Sequence, residues 1–131
     1  MIEKIIKSEA EWKKILTPEQ YRVMREQGTE PPFSCPWGKL GIGAFSCAAC
    51  DLLLFRSEKK FESGTGWPSY FEPIDPTHLE ELVDDSFGMH RIEVRCARCE
   101  SHLGHVFPDG PPPTGKRYCI NSIALKFIPK K

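Results

Sequence analysis

No stretch of these 131 residues stays apolar over the roughly 20 positions a membrane-spanning helix needs, so nothing in the sequence places the chain in a bilayer. An excess of charge is missing as well. Eighteen Lys and Arg residues balance eighteen Asp and Glu, and no net field draws the protein to nucleic acid or to an anionic lipid surface. Nor is there an apolar leader: Met1-Ile2-Glu3-Lys4-Ile5-Ile6-Lys7 carries charges where a signal peptide has its hydrophobic core. The expected location is therefore cytoplasmic, where cysteines stay reduced. Repeats beyond one short cysteine motif are absent, as are low-complexity tails, which argues against solenoid or disordered architecture. With 40% hydrophobic and 27% charged residues, the chain reads as one globular domain over 1–131.

What is present begins with turn formers. Twelve prolines and ten glycines favour short strands over a helical bundle. Two short helices are expected first. Ser8-x-x-Glu11 is a capping box ahead of Trp12, Ile15 and Leu16. Thr17-Pro18-Glu19-Gln20 repeats it with Pro at the first helical position, and Gly28 is the expected stop. Glu30-Pro31-Pro32-Phe33-Ser34-Cys35-Pro36-Trp37 reads as a linker that cannot be helical. Residues 1–35 are thus a helical cover and linker, and 36–131 a β core. Strands are expected at Ala44–Cys47, Leu52–Arg56, Ser69–Glu72, Arg91–Cys96, His105–Phe107 and Tyr118–Phe127. Asp75–Asp85 reads as either a helical turn or a polar loop. The class is mainly β, largely antiparallel.

Six cysteines divide into two Cys-x-x-Cys pairs, Cys47/Cys50 and Cys96/Cys99, and two singletons, Cys35 and Cys119. Each pair follows a strand-like segment and points two thiolates at one point, so two pairs close a tetrahedral sulfur site. One structural Zn²⁺ is the expected occupant, with iron a weaker fit and disulfides or plain buried thiols the alternatives. Protein ligands fill all four positions, so the ion would staple the fold rather than catalyse.

Read with a period of two, Arg117, Cys119, Asn121, Ile123, Leu125 and Phe127 share one strand face. A guanidinium beside a thiol favours the nucleophilic thiolate. Cys119 is then either a nucleophile or a small buried hydrophobe. His102-Leu103-Gly104-His105-Val106-Phe107-Pro108-Asp109 adds two histidines able to move protons near neutral pH, with Asp109 placed in sequence to orient one of them. Gly64-Thr65-Gly66-Trp67-Pro68-Ser69-Tyr70-Phe71 is a flexed turn leading into clustered aromatics, either an apolar slot or ordinary core.

Taken together, Gly64–Tyr70, the two Cys-x-x-Cys pairs, His102–Gly110 and Arg117–Ser122 resemble the methionine-R-sulfoxide reductases, the MsrB family, over roughly residues 17–127. The resemblance implies two antiparallel sheets, reduction of methionine-R-sulfoxide in oxidised proteins or peptides, and thioredoxin as reductant. It implies Cys119 as nucleophile, His102, His105 and Asn121 around the reacting group, and Cys47, Cys50, Cys96 and Cys99 on zinc. His102 is narrowly preferred as the acid. Trp67 would meet the substrate methyl group, and Phe107, Asp109 and Arg117 would complete the pocket. A monomer is expected. Many relatives carry a recycling cysteine where this chain has Thr65, which leaves Cys35 as the expected resolving thiol, with direct attack by an external thiol as its rival. Two other classes compete: a zinc-stapled binding module with a structural Cys119, and a secreted domain with three disulfides.

Overall fold

The computed structural model describes residues 2–35, 41–85 and 88–130. Two helices, α1 (Glu9–Ile15) and α2 (Pro18–Arg25), open the chain, and both capping boxes form. The Ser8 hydroxyl accepts from the Glu11 amide at 3.2 Å while the Glu11 carboxylate accepts from the Ser8 amide at 3.0 Å. Thr17 and Gln20 make the same exchange. Helices this short are marginal alone, and burial of Trp12, Leu16, Val23 and Met24 holds them in place. The stop differs from expectation. Gln27, not Gly28, takes the left-handed conformation (φ 55°), and the Gly28 amide returns to the Arg22 carbonyl at 2.9 Å. Glycine is needed there because a Cβ would sit 2.8 Å from that carbonyl oxygen. The expected linker is irregular through Cys35; its last two residues, Pro36 and Trp37, lie outside the described residues.

Among the described residues nine strands follow: β1 (Gly43–Cys47), β2 (Leu53–Arg56), β3 (Lys60–Phe61), β4 (Ser69–Tyr70), β5 (Leu79–Asp84), β6 (Arg91–Cys96), β7 (His102–Phe107), β8 (Arg117–Ile120) and β9 (Leu125–Pro129). They form two antiparallel sheets, ordered β2-β1-β9 and β3-β4-β8-β7-β6-β5. The sheets meet through aromatic rings. Phe55 of the smaller stacks on Tyr70 of the larger at 4.3 Å, and Phe45 meets the same ring edge-on at 5.3 Å. Leu54, Val94, Leu103 and Ile120 complete this buried layer.

Three expectations are corrected. Asp75–Asp85 is neither a helix nor a loop alone: a 3-10 turn at Pro76–His78 leads into β5, a largely exposed edge strand whose acidic residues mask its period. The two-residue β3 carried no sequence signal at all. The run Tyr118–Phe127 is not one strand. It breaks at a 3-10 turn, Ser122–Ala124, and crosses from the larger sheet to the smaller. The expected shared face therefore stops at the break: Arg117 and Cys119 share it, and Ile123, Leu125 and Phe127 do not continue it. On β8 it is Tyr118 and Ile120 that enter the core, while Arg117 and Cys119 sit on the opposite face.

Candidate active site and four-cysteine cluster

The opposite face of the larger sheet carries polar groups in one row. Across β4, β8, β7 and β6, Ser69 pairs with Cys119, Cys119 with His105, and His105 with Glu93. In a regular strand His102 and His105, three apart, would face opposite ways. A register shift against Val94/Arg95 leaves Leu103 as an extra residue and returns both imidazoles to one face, 5.5 Å apart. Gly104, between them, permits close approach of β7 to β8, because a Cβ there would lie 2.0 Å from the Cys119 carbonyl oxygen.

Each histidine has a carboxylate partner, and neither is Asp109. His102 Nδ1 lies 2.7 Å from Glu93, and His105 Nε2 lies 2.8 Å from Asp84. Burial pushes the His102 imidazole down, with Glu93 opposing, so its neutral form is favoured. Its Nε2 is buried and has no hydrogen-bond partner among the described residues. Burial pushes the Glu93 carboxyl up, but hydrogen bonds from Arg95 and His102 outweigh it and hold the group below the usual carboxylate range. Asp109 is instead paired with Arg117, which donates to it at 2.9 and 3.2 Å, and the same guanidinium stacks over Phe107 at 4.4 Å.

A cavity of about 100 Å³ brings Trp67, His105, Phe107, Cys119 and Asn121 together, with Thr29, Arg91 and Gly104 completing its lining. His102 is not in it; its ring lines a separate polar cleft with Gln27, Glu93 and Arg95. Cys35 borders a different, larger cavity of about 670 Å³ that Trp67 and Pro68 also line. The Asn121 side chain donates to the Leu103 carbonyl and accepts from the Glu30 amide, each at 3.0 Å. The Trp67 indole donates to the Glu30 carbonyl at 2.9 Å. Burial pushes the Cys119 thiol up; Arg117 and the Thr65 hydroxyl pull it back without reversing the shift. The guanidinium favours the thiolate, as the sequence suggested, but burial outweighs it. Thr65 itself is tied to Ser63 at 2.7 Å, and Ser69 donates to Ser63 at 2.7 Å.

Sequence reasoning missed Glu30, Asp84, Glu93 and Arg91. Glu93 carried a faint signal, since alternation along β6 puts it on the face away from Val94. Asp84 was invisible without β5, and Glu30 stood in a linker with no periodicity.

The six cysteines are all free. Cys47, Cys50, Cys96 and Cys99 place their sulfurs within 4.8 Å of one another, with Cys47–Cys99 at 3.6 Å and Cys50–Cys96 at 3.5 Å. A tetrahedron with metal–sulfur bonds of about 2.3 Å has edges of roughly 3.8 Å, so the four sulfurs fit one metal ion. Disulfides would need sulfurs about 2 Å apart, which removes the three-bridge alternative. Cys47 ends β1 and Cys96 ends β6, so the cluster joins the two sheets.

A half-buried thiol across from an imidazole, beside an aromatic-walled cavity and apart from a metal-type cluster, defines a thiol-dependent enzyme of the redox class. A protein-family model described as the SelR domain matches residues 16–129. A protein of Agrobacterium fabrum named peptide methionine sulfoxide reductase MsrB is 57% identical over 127 residues, covering 96% of this chain and 94% of the relative. Proteins of the same name from Methanosarcina barkeri (59% over 125 residues; 92% and 86% covered) and Thiobacillus denitrificans (55% over 125 residues; 95% of each) agree. The chain belongs to the SelR-domain, or MsrB, family of peptide methionine sulfoxide reductases.

Proposed function

We propose that this protein reduces methionine-R-sulfoxide in oxidised proteins and peptides to methionine, with Cys119 as the nucleophile. The supporting observation is Cys119 set directly across from His105 at a small cavity walled by Trp67 and Phe107. Those aromatic faces suit the substrate methyl group. The thiolate sulfur bonds to the sulfoxide sulfur as the oxygen takes up a proton; that hydroxyl then passes to the Cys119 sulfur as the S–S bond and the original S–O bond break, methionine departs, and Cys119 is left as a sulfenic acid. A sulfoxide oxygen leaves only when protonated. His105, held by Asp84, is the group placed to deliver that proton, while His102, braced by Glu93, supports it from behind. Asn121 and Arg117 border the reacting sulfur.

A second thiol then displaces water from the sulfenic acid to give a disulfide. Cys35 is the proposed partner, being the one thiol outside both the cluster and the nucleophile position. A dithiol reductant of the thioredoxin class would return the pair to thiols. The four-cysteine cluster would hold one structural Zn²⁺; its tight, all-thiolate donor set leaves no ligand position for substrate. The reduced thiols suit a cytoplasmic, monomeric protein acting as one domain over 1–131, with 1–35 as a cover for the β core.

The test is an assay against separated R and S epimers of a methionine-sulfoxide peptide, with dithiothreitol and thioredoxin compared. Expected is reduction of R alone, loss of activity in Cys119→Ser with metal retained, and loss of only thioredoxin-dependent turnover in Cys35→Ser. Reduction of S alone would sink the assignment. Unchanged thioredoxin turnover in Cys35→Ser, without a Cys35–Cys119 link by mass mapping, would remove the resolving role.

A further inference from the structure

We propose that Glu30 is a positioning residue for this reaction, its buried carboxylate setting the turn after Cys119 while its main chain holds Trp67 and Asn121 at the cavity. Glu30 is 5% exposed. Its Oε2 accepts the Ser122 amide and its Oε1 the Ile123 amide, each at 2.9 Å, and the Ser122 hydroxyl reaches both oxygens at 2.9 and 3.0 Å. Every contact is from a donor, so the ionised carboxylate matches the site and replaces the water it lost. The amides it takes are those a continuing strand would have offered to a neighbour. Glu30 therefore stabilises the break between β8 and β9, two residues beyond the nucleophile.

The main chain of the same residue reaches the cavity. Its amide donates to Asn121 Oδ1 at 3.0 Å and its carbonyl accepts the Trp67 indole at 2.9 Å. One residue thus fixes, from a distant segment, two side chains on different elements. Its carboxylate anchors the peptide that does so. A displacement of about 1 Å in such groups is enough to cost on the order of a hundredfold in rate. The proposal rests on the reading that Trp67 and Asn121 contact the substrate.

Glu30→Gln tests it, because the amide nitrogen must then face a backbone N–H that the carboxylate accepted. Steady-state reduction of a methionine-R-sulfoxide peptide by dithiothreitol, with ¹⁵N spectra of the indole N–H groups, gives the readout. Expected are a KM raised about tenfold with a smaller change in kcat, and a shifted Trp67 indole signal beside an unmoved Trp12 signal. A purely structural role lowers the fraction of active enzyme, and hence kcat, at unchanged KM; that result overturns the proposal. Should Glu30→Gln lose its metal or fail to fold, Ser122→Ala removes one donor and keeps both amides. It is expected to raise KM a few-fold with the same indole shift, and an unchanged KM there overturns the proposal. An inactive wild type would instead overturn the activity reading, and the proposal with it.

Discussion

At Cys119 two opposing effects meet on one sulfur. Burial disfavours the thiolate more than Arg117 and Thr65 favour it, so the resting thiol is protonated and ionises above the ordinary thiol value. In a Cys35→Ser background, alkylation of Cys119 by iodoacetamide should therefore rise with pH and level off only above that value. Arg117→Ala removes the positive partner and Thr65→Val the hydroxyl donor, and each is expected to move the curve to higher pH. A shift to lower pH in either variant would contradict the placement of those groups. Proton removal then belongs to the substrate-bound state, where imidazole, sulfoxide and thiol share one small cavity. Cys119, His102, His105, Trp67 and Phe107 were legible as candidates because each sits in a dense local motif. The sequence assigned Asp109 to a histidine on proximity along the chain, whereas strand pairing gives Asp109 to Arg117 and supplies Asp84 and Glu93 instead.

At the scale of elements, strands β7 and β8 bring the imidazole and the thiol together, and Gly104 sets their separation. Gly104→Ala would drive a Cβ into the Cys119 carbonyl, a backbone atom that cannot move without opening the pair. Overpacking of this kind costs roughly 1–3 kcal/mol, and more where backbone must shift. A melting temperature lower by on the order of 5–10 °C and a kcat/KM reduced at least tenfold are expected; thermal melts and peptide kinetics measure both. The legible elements were those whose cause is local: both capping boxes, β1 and β6 before their cysteine turns, and the core of β2. The illegible ones depend on distant partners. The break after Ile120 exists because Glu30 takes the next amides, and the register shift at Leu103 exists because β6 and β7 pair as they do. Neither leaves a mark in the local sequence where it acts.

For the whole molecule, the four-cysteine cluster ties the smaller sheet to the larger at the ends of β1 and β6. A metal present at roughly 100–1,000 times its dissociation constant stabilises the native state by about 3–4 kcal/mol. Removal by a strong chelator, or Cys96→Ser, is therefore expected to lower the melting temperature by on the order of 10 °C. Metal content by mass spectrometry, alongside the melt, checks this; an unchanged melt on complete metal loss would refute a stapling role. The helices add to the same joint. Arg25 donates to the Cys99 carbonyl at 2.8 Å while lying over Trp12, and the Ile5 amide donates to the Arg98 carbonyl at 2.8 Å. No helix among the described residues is long and apolar enough to cross a membrane.

Trp67 lines both the cavity that holds Cys119 and the one that Cys35 borders. A single indole thus borders both the cavity of the proposed nucleophile and that of the proposed resolving thiol. For Cys35 to meet an oxidised Cys119, as proposed, its segment would have to enter the cavity proposed for the substrate. Repair and recharging then cannot share the site at one instant, and the two half-reactions must take turns. The product has to vacate before reducing equivalents are admitted, which is the kinetic pattern of a ping-pong enzyme.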